Sequence, residues 1–202
     1  MAEKLFLNLD IETTGLDPYE DFILEIAWQV LSDDLTPRSD ARSYIVDHES
    51  DWAGVFHALR NAPAVVRNMH ANSGLSAALL SSGVGNTATL EVIAQRITGD
   101  LRVATAQLGS DTKIHLMGFS PQFDKSFLAQ KSEFYSLLSE SNYTGLNHRL
   151  FDLSSVKIAY DVAGLDLPGY WQNTNPHRAI SDIEEVRRFA LAVRADMRGI
   201  HA

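Results

Sequence analysis

The chain has 202 residues, no cysteine, 45% hydrophobic residues and a formal charge of -9. The missing cysteine excludes disulfides, thiolate metal sites and cysteine nucleophiles. The acid excess argues against a long basic track for duplex nucleic acid, whose non-specific affinity comes from Lys and Arg neutralising phosphates. The length and apolar content suit one compact domain over residues 1–202. No apolar run reaches the roughly 18 residues of a membrane span. Met1-Ala2-Glu3-Lys4 leads straight into a strand pattern and leaves no room for a signal peptide, so a cytoplasmic location is expected.

The first pattern, Leu5 to Leu16, is an apolar strand that ends in two carboxylates. Successive strand side chains point to opposite faces, which puts Leu5, Leu7, Leu9 and Ile11 together and aims Asp10 and Glu12 from the other face. Two carboxylates in apolar surroundings need protons or cations to neutralise them, and hard divalent ions prefer oxygen ligands. The pair alone proves nothing, because an Asp-x-Glu triplet recurs at Asp182-Ile183-Glu184. After a turn at Asp17 to Asp21, Phe22, Leu24, Ile26, Trp28 and Val30 alternate with Ile23, Glu25, Ala27 and Gln29, and a shorter strand runs from about Arg42 to Val46. The opening is a three-stranded antiparallel meander.

From about Asp51 the spacing of Trp52, Val55, Phe56 and Leu59 predicts a helix, Pro63 starts another short segment, and Ser73-Gly74-Leu75 punctuates it. Ser81 to Asn86 is a loop, and a longer helix spans Leu90 to Ala106 with Ile93, Ile97, Leu101 and Ala104 on one face. A short buried strand at Ile114 to Met117 follows a Gly109-Ser110-Asp111 turn. Then Ser120 stands as an N-cap with Pro121 at the first helical position, which places Asp124 in the first turn. Phe151-Asp152-Leu153 is a brief strand before a helix from about Ser154 to Ala163; Gly164 to Pro176 is a loop. The last helix carries Ile180, Ile183, Val186, Ala190 and Val193. This order predicts an α/β fold with a mixed sheet.

His177 and Asp182 open that last helix. Residues five apart on a regular helix point about 140° apart, so the two converge only if His177 stands ahead of the helix, after a break at Asn175-Pro176. Asp182 could then join Asp10, Glu12 and Asp124 as oxygen ligands, beside an imidazole able to accept a proton. The competing reading is a capping box, Ser181-x-x-Glu184, with Asp182 as a first-turn acid favoured by the helix dipole.

Asp10-x-Glu12, Asp124 and His177-x4-Asp182, in this order, resemble the DEDDh 3'-to-5' exonucleases, and most closely the oligoribonucleases among them. The resemblance extends through Arg67-x2-His70-x2-Ser73-Gly74-Leu75, Gly118-x-Ser120-x3-Asp124-x2-Phe127-Leu128, Arg149-x2-Asp152-x-Ser154 and His177-x-Ala179-x2-Asp182. It implies a ribonuclease H-like fold with a mixed five-stranded sheet flanked by helices, antiparallel meander first. It also implies that Asp10, Glu12, Asp124 and Asp182 bind two divalent cations, Mg2+ or Mn2+, and that His177 is the general base. Leu16 would wedge against a terminal base, while His70, Ser120 and Ser154 would contact a 5' phosphate, with Arg149 reaching it from the second subunit of a homodimer. Two departures bear on that contact and on length selection: Phe119 replaces the family's usual Asn, and His148 replaces its Tyr. Asp152 reads as structural, and Trp28, Trp52 and Trp171 as core or interface.

The implied activity is hydrolysis of short single-stranded RNA oligonucleotides, with DNA not excluded, to mononucleotides. The alternatives are a related enzyme that trims or proofreads the 3' ends of longer DNA or RNA, and a non-catalytic nucleic-acid-binding module. The complete acid set disfavours the last, since a binding module gains nothing from mutually repulsive carboxylates.

Overall fold

The computed structural model describes residues 3–49, 51–81, 86–106, 108, 112–139, 145–168 and 177–199. The Gly109 to Asp111 turn, Trp171 and the Asn175-Pro176 break lie outside these residues, as do parts of the two expected loops. The strands are β1 (Lys4–Thr13), β2 (Ile23–Ser32), β3 (Arg42–Val46), β4 (Thr87–Ala88), β5 (Lys113–Gly118) and β6 (Phe151–Asp152), in the sheet order β4-β3-β2-β1-β5-β6. The first three form the expected antiparallel meander, and the remaining neighbours pair in parallel. The sheet has six strands where the resemblance implied five. The addition is β4, two residues on the edge of β3, too short to leave any alternation in the sequence.

The helices are α1 (Trp52–Asn61), α2 (Ala64–Asn72), α3 (Leu75–Leu80), α4 (Leu90–Thr105), α5 (Pro121–Leu128), α6 (Tyr135–Leu138), α7 (Leu153–Val162) and α8 (Ala179–Met197). Leu5, Leu7, Leu9 and Ile11 of β1 pack with Ile93, Ile97 and Leu101 of α4 and with Phe127 and Leu128 of α5. Fully burying each such side chain is worth about 1.5–3 kcal/mol. Leu153 and Tyr160 of α7 pack with Val186, Phe189 and Ala190 of α8 and with Leu31 of β2. Ala179 and Ile183 of α8 close on Ala27 of β2. The face of β1 that carries Asp10 and Glu12 is therefore the one α8 crosses, and Asn8 on that face donates to Ile183 O at 2.7 Å. No helix among the described residues is long and apolar enough to cross a membrane.

One break in the alternation matters. Glu12 pairs with Glu25, but Thr13 pairs with Ile23, so Leu24 is an extra residue in β2 and the ladder bulges there. Ile23 consequently joins the α4 side with Ile26 and Trp28, while Leu24 turns to a separate cluster with Ile45, Val55, Leu75 and Leu79. The bulge lets α1 to α3 dock at the acidic end of β1.

Candidate active site

Asp10 and Glu12 stand two apart on β1, and Asp182 descends onto them from the first turn of α8. One carboxylate oxygen from each lies within 4.8 Å of the other two. Asp124 stands outside that trio. Its Oδ1 accepts the N–H of Ile11 at 3.0 Å, which draws the start of α5 onto β1. It is buried at 3% exposure and acts on Asp10 through its charge.

The electrostatics are those of crowded, desolvated acids. Burial first, and then the charges of Asp124, Asp182, Glu12 and Glu25, push the Asp10 carboxyl well above its ordinary range. Burial and Asp182 raise Glu12 to about 8, with Arg178 opposing. Burial raises Asp124 to about 7 against the Ile11 hydrogen bond. Such a set takes up protons or cations. Oxygen-only donors within one small volume fit hard divalent ions such as Mg2+ or Mn2+.

His177 is exposed and precedes the helix, as convergence with Asp182 requires. Its backbone is in the left-handed region at φ 65°, and its N–H donates to Asp182 Oδ2 at 3.1 Å. The capping-box alternative does not form: the N-cap position is Arg178, so Ser181 lies inside the first turn.

The expected substrate contacts divide into three groups. Leu16 is 80% exposed at the tip of a loop that Asp21 braces, accepting from Thr14 Oγ1 at 2.7 Å and from the Asp17 N–H at 2.9 Å. A Cβ at Gly15 would push that carboxylate aside, so any side chain there would disturb the brace. Ser120 and Ser154 meet with their hydroxyls 3.1 Å apart. Ser120 holds the N-cap position of α5 at φ 57°, but its side chain does not cap the helix. Asp152 gathers both serines, its Oδ1 accepting the N–H of Ser120 at 3.1 Å and of Ser154 at 2.9 Å, which is the structural role expected of it. Arg149 is exposed in the segment that leads into β6.

His70 departs from expectation. It is fully buried, with Nε2 2.8 Å from Thr13 O and Nδ1 3.8 Å from Glu12 Oε2. A carbonyl only accepts, so Nε2 carries the hydrogen. The bulge and the packing of α2 bring His70 beneath Glu12, leaving no nitrogen on the surface for a phosphate.

No model of a known protein family matches the chain. It is 30% identical over 182 residues to the oligoribonuclease of Mycobacterium sp. (strain KMS), covering 88% of this chain and 74% of that one. The chain belongs to the oligoribonuclease family. The oligoribonuclease of Nocardia farcinica is 28% identical over 189 residues, covering 92% of this chain and 77% of its own length. Among solved structures, E. coli exonuclease I in complex with a dT13 oligonucleotide matches with a TM-score of 0.61 at 16% identity, over 99% of this chain and 42% of that one. Its zinc-bound form in a complex with single-stranded DNA matches with a TM-score of 0.64 at 15% identity, again over 99% and 42%. This likeness establishes the ribonuclease H-like fold.

Against the family pattern, Phe119 fills space between β5 and α8. Its ring is 5.8 Å from that of Phe189, and the Lys157 ammonium lies 3.8 Å from its centroid. His148 is exposed beside Arg149. Two residues that the sequence pattern did not single out are built into the site. Glu25 is buried at 1% exposure opposite Glu12, and Arg178 pairs with it at 2.9 Å. The signal was a lone acid in a ten-residue strand of otherwise apolar and neutral residues, which needs a proton or a cation once it is buried.

Proposed function

We propose that this protein is a metal-dependent 3'-to-5' exonuclease that degrades short single-stranded RNA oligonucleotides to mononucleotides. The observation that carries this reading is the convergence of Asp10, Glu12 and Asp182 within 4.8 Å next to the exposed His177 turn. Asp10, Glu12, Asp124 and Asp182 would hold two divalent cations, Mg2+ or Mn2+. Such ions supply an acidified water and charge stabilisation for the leaving 3' oxygen. His177 takes the proton from the attacking water, and water is excluded from the floor of the site by the apolar packing of Ala27, Ala179 and Ile183. Leu16 offers an apolar surface to the terminal base, and the Ser120 and Ser154 hydroxyls donate to a 5' phosphate. His70 leaves the substrate set in this reading and backs Glu12 instead.

The test is length dependence. A protein of charge -9 has little to hold a long phosphate backbone, so binding concentrates on the few groups that close around a short substrate. Dissociation constants for 5'-phosphorylated RNAs of two, three, five and ten nucleotides, taken in calcium to block turnover, are expected to rise with length. Removing the 5' phosphate from the dinucleotide should weaken binding. Affinity that is equal or improves with length would favour an enzyme that trims or proofreads longer strands, with Phe119 and His148 the first departures to examine.

The reading includes a homodimer in which Arg149 reaches the partner's 5'-phosphate site. Two features support it: the exposure of Arg149, and the exposed apolar face of Ile158 and Val162 on α7, which begins four residues after Arg149. Mixing an Asp10→Asn protein with an Arg149→Ala protein is expected to restore activity through hybrid dimers with one complete site. A monomer by light scattering, or no recovery on mixing, would remove the trans assignment.

A further inference from the structure

Glu25 is the fifth carboxylate at the site, and it is taken out of play. Its Oε2 accepts Arg178 Nε at 3.1 Å and the Ala179 N–H at 3.1 Å, while its Oε1 accepts Arg178 Nη2 at 2.9 Å and the Ser43 hydroxyl at 2.8 Å. A carboxylate offers about four lone-pair positions, and here all are filled. The fork of Arg178 both neutralises Glu25 and fixes the plane of its own guanidinium, as bidentate pairing does.

The position of Arg178 in the chain gives this pair its consequence. Arg178 lies between His177, exposed and in left-handed backbone, and Ala179, the first residue of α8. A histidine in that conformation stores strain that its surroundings must over-determine. The hydrogen bond from His177 N to Asp182 Oδ2 holds one side of the turn, and the Arg178 fork holds the other. The helix itself has independent anchors: Ala179, Ile183, Val186 and Phe189 are buried, and Asn8 bonds to Ile183 O. Loosening the fork therefore frees the turn while α8, and Asp182 with it, stays in place.

We propose that Glu25 and Arg178 form a positioning pair that sets the orientation of His177 toward the attacking water, rather than a metal-binding or substrate-binding element. This inference rests on the exonuclease reading with His177 as the base. Misplacement of a reacting group by about 1 Å costs up to about 100-fold, so a partial loosening is expected to cost about 10-fold.

The test is a double-mutant cycle on a 5'-phosphorylated dinucleotide. Arg178→Lys keeps the charge that neutralises Glu25 but loses the planar fork. It is expected to lower kcat about 10-fold, with KM and the dissociation constant for Mn2+ each held within about twofold. In a His177→Ala background the same change should cost less than about threefold, because the group being oriented is gone. An equal loss in both backgrounds, or a loss carried by KM or by Mn2+ affinity, overturns the proposal. Glu25→Asp, which keeps the charge and shortens the reach to Arg178, supplies a second arm if Arg178→Lys does not fold, and the same kcat-only, His177-dependent loss is required of it. Failure of the underlying reading looks different: His177→Ala alone would then turn over at the wild-type rate.

Discussion

Replacing Asp10 by Asn is expected to lower turnover about 1,000-fold while leaving the fold intact, because several kcal/mol of charge stabilisation is lost and each 1.36 kcal/mol is tenfold in rate. Metal-free stability should move the other way. Asp10, Glu12 and Asp124 all have folded-state carboxyls raised above their ordinary values, Glu12 to about 8 and Asp124 to about 7. Across the interval from about pH 4 to about pH 8 the native state therefore binds more protons than the unfolded chain. The stability these groups contribute is complete below about pH 4 and is lost as pH rises through about 7 and then about 8. Without metal, the wild-type melting midpoint should fall across that window relative to Asp10→Asn, which removes one charge from the repelling set. Divalent cation added at about pH 8 should raise the wild-type midpoint more than at about pH 5, where protons compete for the same oxygens. Thermal melts of both proteins at several pH values, with and without Mn2+, check this; identical pH curves would show that the acids do not repel as the geometry requires. Wild-type rates in Asp10→Asn and Asp182→Asn would overturn the metal-ligand assignment.

His177→Ala should lose about 100-fold or more in kcat, the lower end of what a positioned general base contributes. Cation affinity should change little, since the three converging acids are untouched. The acidic limb of the wild-type pH-rate profile should vanish with the imidazole. Its persistence unchanged in the variant would assign that limb, and the base, to another group. His70 is the obvious competitor by residue type, but burial beneath Glu12 lowers its pKa and closes it to water. His70→Asn should instead act through Glu12, weakening cation binding more than it alters the profile.

The acidic site was legible because strand and helix periods are rigid rulers. Alternation along β1 sends Asp10 and Glu12 to one face whatever lies around them. His177 and Asp182 fixed their own relation once His177 was placed ahead of the helix, and the structure has it there, in left-handed backbone. What stayed hidden depends on long-range packing. A bulge at Leu24 leaves no local mark, because Ile23, Leu24 and Ile26 are apolar on whichever face they fall. The burial of His70 follows from how α2 meets the end of β1, 57 residues away in sequence. The Glu25 and Arg178 pair spans 153 residues, so the lone acid of β2 carries no mark of which cation it meets. Ser120 misled in a different way: its residue type and Pro121 marked the start of a helix correctly, yet the hydroxyl turns to Ser154.

The contact between Asn8 and Ile183 O joins residues 175 apart, and it fixes an order of events as the chain is made. Synthesis proceeds from the N-terminus at about 5–20 residues per second, and early segments can fold before later ones exist. The meander of β1, β2 and β3 can pair as soon as it emerges, since its connections are short. Its parallel neighbour β5 and its cover α8 arrive only after most of the chain has been polymerised. Until then the nascent sheet presents the Leu31 and Ala27 side to solvent and carries Asp10 without Asp182. The trio of Asp10, Glu12 and Asp182 is thus completed only when α8, the last described element of the chain, docks on the sheet.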